Sequence, residues 1–161
     1  MSDPQTIQQV LEGARQRLVR LTPADAEQAS RAGAVVVDIR PTAQRASEGD
    51  LPGALVIERN VLEWRFDPSS EASLDIANHE LQVIVLCQEG YTSSLAAAAL
   101  QDVGVHRATD VIGGYAAWRG SGLLSEAQAA RTRTGSPGVD CSGDCSAYWA
   151  RSAAGGSASP K

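Results

Sequence analysis

The sequence predicts an α/β domain built on a parallel sheet. Three observations carry that prediction. Two short runs, AVVVDI (34–39) and VIVL (83–86), are continuously apolar, the pattern of strands buried on both faces. Segments with helical spacing or helix-capping residues separate the strand-like runs, as βαβ units require. Glycine and proline fall at the boundaries between them, as at Gly33, Pro52-Gly53 and Gly104.

Residues 5–19 place Ile7, Val10, Leu11, Ala14 and Leu18 at helical spacing, which predicts an amphipathic helix. Thr22 is a good N-cap, Pro23 suits the first helical position and Gly33 suits the C-terminal end, so a second helix is expected over about 23–32. The buried strand over 34–39 follows. Residues 42–49 are polar and are expected to hold one helical turn. After the turn at Pro52-Gly53, a brief strand is expected through Ala54–Ile57 and a short helix over 60–66. DPSSEASLDIANHEL reads as irregular chain. Val83–Leu86 is the next strand, Ser93–Asp102 the next helix, ATDVIGG a last short strand and turn, and Tyr115–Gly120 a final short helix.

The 161 residues fit one compact domain with chain to spare, divided as an amphipathic helix over 1–20 packing on the domain, the domain itself over 21–127, and a tail over 128–161. The tail is rich in Gly, Ser and Ala, has almost no aliphatic residues and is expected to be flexible. The formal charge of −5 argues against nucleic-acid or acidic-membrane partners, which need a basic face. No apolar run approaches the roughly 20 residues that cross a bilayer, and the polar start lacks a signal-peptide core, so the expectation is a cytoplasmic protein. Three cysteines in a chain of this length are not a disulfide framework.

Cys87 is the residue that points to chemistry. It closes a predicted strand, and in parallel α/β sheets ligands bind beyond the carboxyl ends of strands. The loop after it feeds a helix N-terminus, where free N–H groups and the positive end of the dipole stabilise a thiolate. Gly90 can take a positive φ and let the loop curl round the sulfur, and Thr92, Ser93 and Ser94 are candidates to cap the helix. The construction suits a nucleophile whose attached group becomes anionic. The competing reading is a small buried residue that merely ends a strand.

Four elements in order make residues 21–124 resemble a single-domain rhodanese, the thiosulfate sulfurtransferase family. They are Asp38-Ile39-Arg40 after the early strand, Gly49-Asp50-Leu51-Pro52-Gly53-Ala54, the loop Cys87-Gln88-Glu89-Gly90-Tyr91-Thr92-Ser93, and Gly113-Gly114-Tyr115-Ala116-Ala117-Trp118. The strand–helix alternation and these four ordered elements together predict a five-stranded parallel sheet flanked by helices on both faces. The resemblance implies a sulfurtransferase that carries sulfane sulfur as a Cys87 persulfide, held by the backbone of residues 88–93, from thiosulfate or a persulfide donor to cyanide, a thiol or a protein cysteine. It implies no metal and no organic cofactor. Two positions depart from the family pattern. Asp50 replaces the usual histidine, and Thr92 stands where many members carry an arginine that binds an oxyanion donor.

Arg40, Arg45, Arg59 and Arg65 are candidates for the missing positive charge. Arg40 and Arg59 follow predicted strands, and Arg59 is preferred. Asp38 is expected to pin a loop, and Glu89 to face solvent, since an inward carboxylate would disfavour the thiolate. Trp118 is expected in the core and Trp64 at the site mouth. His79 and His106 read as surface residues. Cys141 and Cys145 form a C-x3-C pair too small for a zinc site; exposed thiols without a role, a redox-sensitive pair or a sulfur acceptor for Cys87 are the readings open to it.

The same residues bear on rival functions. Phosphatases of related fold use Cys-x5-Arg, but Ser93 stands at the arginine's position. An arsenate reductase would also use a thiol in an oxyanion cradle, but nothing in the chain favours it. The alternative of a different class is a non-catalytic rhodanese-like binding or regulatory module, against which the retained cysteine argues.

Overall fold

The computed structural model describes residues 3–124. Six helices and four strands alternate along them: α1 Ile7–Gln16, α2 Pro23–Arg31, β1 Val35–Asp38, α3 Thr42–Glu48, β2 Leu55–Val56, α4 Leu62–Phe66, β3 Val83–Leu86, α5 Thr92–Asp102, β4 Thr109–Asp110 and α6 Gly114–Gly120. A 3-10 turn at Arg59–Val61 leads into α4. The tail and its two cysteines lie outside the described residues.

The strands form one parallel sheet in the order β2-β1-β3-β4. Among the described residues the expected fifth strand is not formed, and the sheet has four. Leu21 makes one parallel bridge with Val111 beside β4, its N–H donating to the Asp110 carbonyl. Thr22 then caps α2 and Pro23, which has no N–H to give a ladder, opens that helix. The pairing therefore stops after one residue.

Alternation along the two central strands sends side chains to opposite faces. Val37, Val83 and Val85 pack with Leu18, Leu62, Phe66, Ala96, Ala97 and Leu100 on the face covered by α1, α4 and α5. Val36, Ile84 and Leu86 pack with Ala26, Val111, Tyr115 and Trp118 on the face covered by α2 and α6. Helices thus flank both faces, and β3, fully buried, delivers Cys87 to the carboxyl edge between the two cores.

α1 starts on a capping box: Thr6 Oγ1 accepts from Gln9 N at 3.2 Å, and Gln9 returns a side-chain acceptor to Thr6 N at 2.8 Å. Its Leu11 and Ala14 are buried, and Arg17 donates to the Ala98 carbonyl of α5 at 3.3 Å. The irregular stretch after α4 opens on a turn at Asp67, whose Oδ1 accepts from Ser69 Oγ at 2.7 Å and Ser69 N at 2.9 Å. These donors hold the Asp67 carboxyl below its usual range.

Candidate active site

Cys87 leaves the end of β3 with its sulfur enclosed by its own loop. The N–H groups of Gly90 and Ser93 point at Sγ at 3.2 and 3.3 Å. Sγ–H donates to Ser93 Oγ at 3.2 Å. The sulfur occupies the place of a cap on α5: the N-cap position is Tyr91, no side-chain oxygen caps the helix, and the Ser93 N–H turns to the thiol instead. This corrects the expectation that Thr92, Ser93 or Ser94 caps α5. The hydroxyls of Ser93 and Ser94 turn inward and donate to Asp110 Oδ2 at 2.9 and 2.8 Å, because a buried carboxylate without donors costs more than an uncapped amide beside a sulfur.

The loop can close this tightly because of two glycines. Gly90 has φ +79°, and a Cβ there would lie 2.9 Å from Gly113 N. A Cβ on Gly114, itself at φ +60°, would collide with the Cys87 carbonyl. With no side chain in the way, α6 starts against the loop: Tyr115 N donates to the Cys87 carbonyl at 2.8 Å and Ala116 N to the Gln88 carbonyl at 3.0 Å. The amides of Gln88, Glu89 and Tyr91 have no hydrogen-bond partner among the described residues.

Asp38 and Arg40 form a buried pin. Asp38 Oδ1 accepts from Arg40 N and Nε, both at 3.0 Å, and Oδ2 from Arg40 Nη2 at 2.7 Å. The same guanidinium reaches Gln88 Oε1 at 3.1 Å and the Gly49 carbonyl at 2.9 Å, and it stacks 3.8 Å from the Tyr115 ring centroid. It therefore ties β1, the Cys87 loop and α6 together, with Nε, Nη1 and Nη2 all engaged as donors.

A cleft of about 540 Å³ opens in front of the sulfur, lined by Ile39, Arg40, Gln44, Arg59, Cys87, Gln88, Glu89, Tyr91 and Thr92 among others. Arg59 is there as expected, but its Nη1 holds both oxygens of Glu63 at 2.7 and 2.8 Å. Arg45 pairs with Asp50, and Arg65 donates to the Ala72 carbonyl. Glu89, Tyr91 and Thr92 are exposed. Trp64 is exposed and is not part of the cleft lining, which corrects its placement at the mouth. His79 and His106 are both exposed, with ring centroids 6.3 Å apart. Among the described residues no group of His, Cys, Asp and Glu is suited to a metal ion, and no helix is long and apolar enough to cross a membrane.

Sequence reasoning missed three residues behind the loop. Asp110 is fully buried, and its carboxylate is bidentate to Arg20, Nε to Oδ1 at 2.8 Å and Nη2 to Oδ2 at 3.1 Å. Arg20 Nη2 and Arg15 Nη2 also converge on the Gly90 carbonyl, at 3.1 and 2.8 Å. Arg15 Nε donates to Ser94 Oγ at 3.2 Å. One signal was available: an acid inside a short strand just before Gly-Gly has to be paired when the strand is buried.

A sheet of this topology with a thiol at the carboxyl end of a central strand defines an α/β domain whose candidate site is one cysteine-headed loop. The chain belongs to the rhodanese-like domain family, which matches residues 22–121. Thiosulfate sulfurtransferase GlpE of Stutzerimonas stutzeri (strain A1501) is 34% identical over 100 residues, 62% of this chain and 84% of that protein. Among solved structures, protein RPA3614 of Rhodopseudomonas palustris CGA009, described as of unknown function and a possible tyrosine phosphatase, is 30% identical with a TM-score of 0.68 over 76% of this chain and 95% of its own. Human single-domain sulfurtransferase TSTD1 is 22% identical with a TM-score of 0.51, over 65% of this chain and 96% of its own, and shares the fold.

Proposed function

We propose that the chain is a sulfurtransferase in which Cys87 carries sulfane sulfur between a donor and a thiol, cyanide or protein-cysteine acceptor. The observation that carries this reading is the sulfur's surroundings. Two amides, those of Gly90 and Ser93, face Sγ, and those of Gln88, Glu89 and Tyr91 in the same loop have no partner among the described residues. N–H dipoles aimed at the sulfur stabilise the negative charge of a thiolate and then of a terminal persulfide sulfur.

In the first half-reaction the thiol proton is lost to solvent and the thiolate attacks the donor's outer sulfur. With thiosulfate the new Cys87 S–S bond forms as the donor's own S–S bond breaks, and sulfite departs with the electron pair. In the second, an acceptor nucleophile bonds to the outer sulfur and the Cys87 thiolate leaves. With cyanide the product is thiocyanate. The GlpE relative supports thiosulfate as a donor class.

The phosphatase description of the RPA3614 relative raises a rival reading. Phosphoryl transfer needs concentrated positive charge on the transferred group. Here Ser93 stands six residues after Cys87, and the cleft's Arg40 and Arg59 are each engaged by a carboxylate. That leaves the sulfur-transfer reading the better supported.

Two separated half-reactions predict ping-pong kinetics. Double-reciprocal plots of thiocyanate formation, with thiosulfate varied at several fixed cyanide concentrations, are expected to give parallel lines. Lines that intersect would mean that donor and acceptor bind together and that no persulfide enzyme turns over.

A further inference from the structure

The carboxylate of Asp110 lies one hydroxyl away from the reactive sulfur, since Ser93 Oγ is 2.9 Å from Oδ2 and 3.2 Å from Cys87 Sγ. A bare carboxylate in that position would oppose every step that puts negative charge on the sulfur. Arg20 cancels it. The residue lies before the family-matched region, its side chain is 17% exposed, and its fork takes both oxygens of Asp110. Its side chain is not part of the cleft lining, so it does not meet a donor.

The pair also leaves the Ser93 hydroxyl free to move. With a thiol at position 87, Sγ–H donates to Ser93 Oγ and the Ser93 proton goes to Asp110. Once the sulfur is anionic it no longer donates, and the Ser93 hydroxyl can turn its proton to it. Asp110 is not orphaned by that turn, because Arg20 Nε, Arg20 Nη2 and Ser94 Oγ still donate to it.

We propose that Arg20 is a positioning residue for chemistry at Cys87: it neutralises the buried Asp110 carboxylate, so that the Ser93 hydroxyl follows the charge on the sulfur. For sulfur transfer this rests on the reading of Cys87 as the sulfur carrier. The positive charge that many relatives place in front of the loop here stands behind it, on a segment outside the family domain.

The test is a cycle of wild type, Arg20→Gln, Asp110→Asn and the double variant. Two rates are read in each at one fixed pH: alkylation of Cys87 by iodoacetamide, followed on its own peptide by mass spectrometry, and single-turnover persulfide formation from a low-molecular-weight persulfide. Arg20→Gln is expected to slow both by about tenfold, with the half-saturating donor concentration within about twofold of wild type. The double variant, which removes both charges, is expected to recover to within about threefold of wild type, a return that lost packing would not produce. Arg20→Lys keeps the charge without the fork and is expected within about threefold of wild type, which keeps the test decisive if Arg20→Gln does not fold. Wild-type rates in Arg20→Gln, a double variant no faster than Arg20→Gln, or a tenfold loss in Arg20→Lys would overturn the proposal. The alkylation pattern without any persulfide in wild type would instead refute the sulfur-carrier reading and leave the electrostatic one standing.

Discussion

Cys87→Ser is expected to lose sulfur transfer by several orders of magnitude, to the level of the buffer, as removal of a covalent nucleophile does. A serine oxygen can accept from the same two amides, so the fold is expected to survive, and circular dichroism with a thermal melt checks that it does. The hydroxyl is a poor nucleophile toward sulfane sulfur and cannot hold a persulfide. The companion variant, Cys141→Ser with Cys145→Ser, is expected to keep most of the rate, since the two amides that face the sulfur, those of Gly90 and Ser93, belong to the sulfur's own loop. Thiocyanate formation from thiosulfate and cyanide measures both. Equal losses in the two variants would place the tail cysteines on the path of the sulfur.

Thr92→Arg is expected to lower the thiosulfate KM by roughly tenfold to a hundredfold, the equivalent of one charge-assisted hydrogen bond of about 1.5–3 kcal/mol. Thr92 is exposed and lines the cleft, so a guanidinium there would meet an arriving dianion. The two arginines already lining the cleft are each held by a carboxylate, Arg40 by Asp38 and Arg59 by Glu63, and Glu89 adds a further negative charge. With a chain charge of −5 there is no long-range attraction to compensate. Wild type is therefore expected to have a high thiosulfate KM and to use less charged persulfides better. The gain in Thr92→Arg should shrink as salt is raised. An unchanged KM, together with a sharp rise in Arg59→Ala, would mean that Arg59 leaves Glu63 to bind the donor.

Much of the fold was legible because the strands that matter are continuous apolar runs. VIVL is fully buried and AVVVDI nearly so, and neither pattern suits an exposed element. The fifth strand was drawn from the strand–helix alternation taken together with the four family elements, and Pro23 explains why Leu21 goes no further. The position of Cys87 followed from local grammar: a strand end, then glycine, then helix. What local grammar could not reach was the wall behind the sulfur. Arg15 and Arg20 lie 70 to 90 residues from the groups they bind, and nothing in helical spacing says which basic residue of a polar segment will be drawn inward. The hydroxyls of Ser93 and Ser94 had two possible partners, the helix end or a distant acid. Only the closed fold, which buries Asp110 completely, decides for the acid. Arg59 lines the cleft, but the helical spacing that puts Glu63 one turn later also pairs its guanidinium.

The central claim is that the sulfur is carried on Cys87, and intact-mass and peptide mass spectrometry of the protein mixed with donor tests it most directly. After exposure to a low-molecular-weight persulfide and removal of excess donor, the Cys87 peptide is expected to be heavier by one sulfur atom. That added mass is expected to vanish on addition of cyanide, with one equivalent of thiocyanate released. An unmodified Cys87 peptide in a protein that still forms thiocyanate would contradict the account, as would an added sulfur that cyanide does not remove.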